Sequence, residues 1–225
     1  MWKVMDIPVS KQTVFLERKN RFLGVVEGGI KVHVHDPGRL EELLYPGNEV
    51  LILHTPGKHR KTEWDLIAAR APEDGSWVLV HSGYHRRISE RILEKMFSEA
   101  DINPEVRLGE SRIDFMIRGN GDIAVEVKGC TLARNEIALF PDAPTTRGTR
   151  HVHELIQFKK AGNEAMLLIL IFRNARCFAP NSDTDPKFAD AFRAAVNVGV
   201  RVAPVRLVYS PPGVYFVEEL PLCER

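Results

Sequence analysis

The chain is poor in cysteine, has no long apolar run and carries almost no excess charge. Each shortage removes a class of protein. Its three cysteines, Cys130, Cys177 and Cys223, are odd in number, widely spaced and without a C-x-x-C pair. That predicts neither a disulfide framework nor a cysteine-bound zinc, and it suits a reducing compartment. The longest apolar stretch, AMLLILIF from 165 to 172, is too short for a bilayer, and the opening MWKVMDIPVS lacks the apolar core of a signal peptide. The expectation is a soluble cytoplasmic protein without membrane partners. A formal net charge of +1 gives no global basic signature, so any grip on phosphate must come from local patches. Neither a P-loop nor a dinucleotide fingerprint is present, and the thiols have no base arranged beside them.

What is there is an ordinary globular composition, 44% hydrophobic and 27% charged over 225 residues, without repeats or low-complexity segments. Two rhythms divide it. Residues 1–85 hold short β-rich runs, from TVFLERKN to SWVLVHSG, each ended by Gly, Pro, Asn or Asp. A brief helical turn in RLEELLYPG interrupts them after the third run. This pattern predicts an OB-type β-barrel.

Residues 86–225 alternate differently. RRISERILEKMF has a helical apolar face at Ile88, Ile92, Leu93 and Met96. Strands follow at EVRL, RIDFMI and DIAVEVKG, then a helix across RGTRHVHELIQFKKAG with Gly162 at its end. AMLLILIF reads as a central strand, apolar on both faces. A helix from DTDPKF has Asp185 as N-cap and Pro186 at its first position, and it stops at Gly199. A last strand, VRVAPVRLVY, contains Pro204, which favours a sheet edge. The whole predicts an α/β fold with an all-β N-terminal part, the second domain having a mixed sheet.

The stretch DIAVEVKGCTL places Glu126 and Lys128 on one face of a strand. On the preceding strand Asp114 occupies the matching face, and a hairpin around RGNGD brings it toward Glu126. Two such carboxylates suit Mg²⁺, or Mn²⁺ in its place, while Lys128 stands ready to orient water or steady a phosphodiester transition state. Asp followed by Glu-x-Lys in this order of elements is the pattern of the PD-(D/E)xK nucleases, although Ile113 stands where a proline is common. The alternative is a solvated sheet face with an incidental ion pair. Glu90 borders the apolar face of its helix, either a further catalytic carboxylate or an exposed glutamate. Arg147, Arg150, His151 and Glu154 recur at helical steps, a face for phosphate or for water.

Basic turns supply the candidate nucleic-acid contacts: Lys58, Arg60 and Lys61 with Trp64 nearby, Arg18 and Arg21, and Arg86 at the domain junction. His33 and His35 share a strand face but have no evident third ligand, which makes them a structural pair.

The segments ESRIDFMI, VEVKGCTL, FPDAPTTRGTRHVHEL and DPGRLEELLYPGNEV together resemble the sugar fermentation stimulation protein A family over almost the whole chain. The resemblance implies an OB-type domain joined to a PD-(D/E)xK nuclease-like domain that binds DNA without sequence specificity. The motif positions correspond to Asp114, Glu126 and Lys128. It also implies a second reading, a DNA-binding regulator without turnover, linked to sugar (maltose) metabolism.

Overall fold

The computed structural model describes residues 1–109, 111–119 and 121–224. The first strand, β1 (Trp2–Asp6), stays apart from its neighbours in sequence. Five strands then curl on themselves: β2 (Lys11–Asn20), β3 (Leu23–Val26), β4 (Ile30–His33), β5 (Glu49–His54) and β6 (Trp64–Arg70). They run in the order β4-β3-β2-β5-β6, and pairing of Val32 with Trp64 joins β4 to β6 and closes the barrel. Closure leaves these five strands no free edge. The turn expected in RLEELLYPG is a single helical turn, with Leu44 N–H on Leu40 O at 2.7 Å.

A short strand, β7 (Trp77–Leu79), leaves the barrel and leads into α1 (His85–Met96), β8 (Asp101–Leu108), β9 (Ser111–Arg118) and β10 (Ile123–Cys130). Next come β11 (Leu132–Arg134), β12 (Ile137–Phe140), α2 (Thr146–Lys160), β13 (Glu164–Ile171) and β14 (Cys177–Pro180). The chain ends with α3 (Pro186–Asn197), β15 (Arg201–Ser210) and β16 (Gly213–Glu219). The helices start where the caps require. The Thr145 side chain accepts from Gly148 N–H and Asp185 from Phe188 N–H, with Pro186 in the first turn.

The main sheet runs β7-β15-β13-β10-β9-β8, parallel among β10, β13 and β15 and antiparallel elsewhere. β13 is buried on both faces. Met166, Leu168 and Leu170 pack with α1 and the barrel, while Leu167, Ile169 and Ile171 pack with α2 and α3. One hydrophobic core therefore joins Phe15 and Leu66 of the barrel to Ile88, Phe115 and Val125 of the second half.

Three features depart from the sequence reading. β1 lies within the expected first domain but pairs antiparallel with β16, so the N-terminal residues extend the second domain's sheet. β15 is interior, flanked by β13 and β16. Pro204, with no N–H to give, lies one residue beyond the last pair with β16, Val205 with Glu219. Cys177 and Cys223 form a disulfide across 46 residues, their Cα atoms 5.0 Å apart, and tie the C-terminal tail to β14. The expectation of no disulfide fails because pairing depends on a strand and a tail meeting in space. Only Cys130 is free, buried, its thiol pushed up to about 12 by burial.

Candidate active site

Register places the two acids. β9 and β10 pair at Ile117 with Ile123, Met116 with Ala124 and Phe115 with Val125, so the next opposed positions are Asp114 and Glu126. The ladder stops there. In its place the Asp114 side chain takes the N–H of Val127 on Oδ2 at 2.7 Å. A carboxylate doing a backbone's work is thereby fixed beside its neighbour.

Glu126 is only 2% exposed. Lys128 donates from Nζ to Glu126 Oε1, and His151 Nδ1 meets the same oxygen from α2. Arg147, one turn earlier, donates from Nε to His151 Nε2 at 3.4 Å. With Nε2 accepting, the ring proton stands on Nδ1, aimed at Glu126. A line of hydrogen bonds thus runs from the exposed Arg147 through His151 to the buried acid. The other oxygen, Oε2, is buried without a partner among the described residues.

The electrostatics separate the acids. Burial pushes Glu126 up, but the hydrogen bond from His151 and the nearby Lys128 outweigh it and hold the group below its ordinary value. Among the described residues Asp114 has no cation hydrogen-bonded to it. Burial and the Glu126 charge push it up to about 6, against the Val127 N–H, Lys128 and His151. Two carboxyl groups side by side with opposite displacements are what like charges in a poorly hydrated site produce.

Packing holds the strand end in place. Gly129 follows Lys128, and a Cβ there would overlap the His85 ring at the start of α1. The ring also stacks on Phe172 with centroids 5.5 Å apart. His85 thus uses the space the glycine leaves, and burial holds its pKa down at about 4.

Asp114, Glu126 and Lys128 come together as expected. Glu90 does not join them. Its helix packs on the barrel side of the sheet, and Glu90 lines a groove with Trp2, Lys3 and Met5. His151 is the residue the sequence reading misplaced, on a basic outer face. The signal was present in the stripe of Gly148, His151, Val152, Leu155 and Ile156, all buried at three- and four-residue steps. Among the described residues no three His, Cys, Asp or Glu form a metal cage.

The predicted nucleic-acid contacts scatter. Lys58 and Lys61 are exposed, with no carboxylate within 4 Å among the described residues. Arg60 is held by Asp65, and Arg18 is spent on the carbonyls of Arg39, Arg21 and Asp36. Trp64 lies within β6, partly buried against the core and beside His54, with ring centroids 4.8 Å apart. Arg21 binds Pro37 O at 2.9 Å and Arg86 pairs with Glu105 at 3.4 Å. Arg147 and Arg150 are exposed on α2. The halves meet where Asp142 Oδ2 accepts the Arg39 N–H at 2.8 Å. A side chain at Gly38 would intrude there, its Cβ overlapping that oxygen.

His33 and His35 join a third imidazole rather than a ligand set: His35 stacks on His81 at 4.5 Å. His81 is 9% exposed, its Nδ1 has no partner among the described residues, and burial, aided by His35, pushes its pKa down to about 4. Such a group favours the fold while neutral. Its contribution is present above about pH 6.5 and is lost as pH falls toward 4. Between pH 7 and 5 this costs roughly 2 kcal/mol, or about 5 °C in melting temperature. His81→Gln should therefore melt with a shallower acid dependence than wild type. The raised Asp36 and Asp114 act in the opposite sense but are common to both proteins. Parallel pH curves would exclude the effect.

The closed five-stranded barrel followed by a mixed sheet with Asp114, Glu126 and Lys128 on adjacent strands defines a class: an OB domain joined to a restriction-endonuclease-like domain. Comparison with known proteins gives the family. Residues 16–80 match the model of the SfsA N-terminal OB domain, and residues 83–213 that of the sugar fermentation stimulation protein RE domain. The chain belongs to the sugar fermentation stimulation protein family. It is 46% identical to the sugar fermentation stimulation protein homolog of Methanococcoides burtonii, over 98% of this chain and 95% of that one. Identity to the homolog of Thermotoga neapolitana is also 46%, over 98% and 99%. The structure of Pyrococcus furiosus SfsA in complex with Ca²⁺ superposes over the full length of both chains, with a TM-score of 0.88 and 30% identity.

Proposed function

We propose that this protein binds DNA and hydrolyses its phosphodiester bonds with the aid of a divalent metal, Mg²⁺ or Mn²⁺. The observation that carries the reading is the pair of neighbouring carboxylates with Glu126 Oε2 buried and unpartnered. A buried oxygen without a donor costs on the order of 1–3 kcal/mol, more when charged, unless something satisfies it. Hard oxygen donors in this number fit Mg²⁺, which takes one or two protein carboxylates and keeps its waters. The relative whose structure is a complex with Ca²⁺, also an oxygen-seeking ion, supports a divalent site in this fold.

Asp114 and Glu126 would hold the metal, which when bound lowers the pKa of water and offsets phosphate charge. Lys128 holds one Glu126 oxygen and presents its cation to the incoming phosphate. His151 fixes the same oxygen, so the Glu126 carboxylate cannot rotate away. Incubating supercoiled, linear and single-stranded DNA with Mg²⁺, Mn²⁺ or EDTA tests the reading, and nicking lost in EDTA is the expected result.

A second reading has its own observation. Oε1 of Glu126 is already engaged by Lys128 and His151, and no third acid stands in the cluster among the described residues. In that case the nuclease-like fold serves as a DNA-binding regulator without turnover. Both readings predict that Lys58 and Lys61 contact phosphate. Reversing both to Glu should weaken duplex binding and reduce the slope of log K against log salt by roughly 2. An unchanged slope would remove that loop from the DNA path.

A further inference from the structure

Phe22 is 49% exposed, the most exposed large apolar side chain after the N-terminal methionine among the described residues. Its turn is well tied. The Asn20 side chain accepts the Phe22 N–H at 2.9 Å, and Phe22 O accepts the Val34 N–H at 3.0 Å. His33, from β4, lies beside it with ring centroids 6.4 Å apart and planes 27° apart. His33 Nδ1 contacts Phe22 O at 3.2 Å, which puts the ring proton on Nδ1 and leaves Nε2 an acceptor. The two rings form a shelf in a groove of about 670 Å³, shared with Asn20, Lys31, Lys61 and Thr62. None of the described residues lining it is acidic. Lys31 and Lys61 are exposed and have no carboxylate within 4 Å among the described residues.

A half-exposed ring, with the Arg21 guanidinium 5.6 Å from its centroid and two lysines nearby, matches the two parts of a nucleotide, a flat base and a charged phosphate. A duplex cannot use the shelf, because its base faces are covered by their stacked neighbours and only the edges are open. We infer that this groove on the OB barrel takes an unpaired nucleotide of single-stranded DNA, its base against Phe22 and His33 and its phosphates on Lys31 and Lys61. The inference rests on the DNA-binding reading and assigns it a strand form. It also moves the aromatic role from the partly buried Trp64 to the more exposed Phe22.

The test is fluorescence anisotropy in EDTA with a labelled oligothymidine of about 15 nucleotides, near the upper site size of an OB fold, and a duplex of equal length. Phe22→Ala and His33→Ala are compared with wild type. Phe22→Ala should weaken oligothymidine binding about tenfold, the loss of one stacked base, and leave duplex binding within twofold. A wild-type titration with a strand that keeps its phosphates but carries abasic sites should reproduce that loss. An exposed side chain is not needed for folding, so melting temperatures should coincide. Oligothymidine affinity unaffected by Phe22→Ala, or equal binding of the abasic strand, would overturn the subsite. So would a wild type that binds duplex but no single strand, while the DNA-binding reading survived. A wild type that binds neither form brings down both.

Discussion

Glu126→Gln is expected to abolish metal-dependent cleavage, with a loss of at least about 10³-fold, while DNA binding in EDTA stays near wild type. The reasoning starts from charge. Asp114 is raised to about 6 because burial keeps water away and the Glu126 charge lies beside it. On the proposed function a metal ion between the acids would reverse that repulsion, so losing one acid would remove several kcal/mol of stabilisation from the charge that builds up at phosphorus. Asp114→Asn should cost a similar amount of activity, but its effect on stability has the opposite sign. At pH 7.5 the ionised Asp114 sits well above its raised folded pKa and opposes folding, so the neutral amide should stabilise the metal-free protein by about 2 kcal/mol. Glu126→Gln instead strands Lys128 and His151, and it should destabilise. A protein that gains stability as it loses cleavage has given up a functional charge. Neither variant changing the rate of nicking would sink the metal-site assignment. Cleavage absent from wild type under every metal would leave the binding reading.

Asp114, Glu126 and Lys128 were legible because strand alternation and one hairpin register suffice to bring them together. His151 was half legible. It lies in the apolar stripe of α2, but its polarity suggested an outer face, and only the sheet beneath it explains why an imidazole is buried there. Glu90 shows the converse. Its place beside an apolar face was correctly read, yet which face of the sheet the helix covers is a tertiary matter. The arginines were the least legible. Arg18 and Arg60 look like free cations in sequence and prove to be braces, because their partners, backbone carbonyls and Asp65, are chosen by loop geometry. The barrel strands were recognisable from turn residues alone. The pairing of β1 with β16 and the Cys177–Cys223 disulfide were not, since each joins segments that no local pattern relates.

Arg173→Met should lower the melting temperature by about 10 °C, the largest stability effect expected of a residue outside the candidate site. Arg173 follows β13 and is only 3% exposed. Its guanidinium donates to the carbonyl of Thr131 at 2.9 Å and binds Glu73 through both Nε and Nη2, with Glu42 4.0 Å away. Glu42 and Glu73 belong to the barrel half, and Thr131 follows Cys130 at the end of the site strand β10. One buried cation therefore joins the two halves a few residues from Lys128. Removing it costs more than the pair itself is worth, because the half-buried Glu42, already raised by burial, then loses the cation opposing that rise. A loss of about 3 kcal/mol, within the usual range for breaking a buried pair, converts to the stated shift at this chain length. Glu73→Gln alone should cost less, since Glu73 is partly exposed and water can replace its partner. In the double variant the two costs should fall short of their sum, the mark of a direct interaction. Strict additivity would mean that Arg173 acts without Glu73, through Thr131, Glu42 or packing. The comparison also bears on function: if the brace sets the position of β10, Arg173→Met should slow nicking at temperatures well below its own melting point.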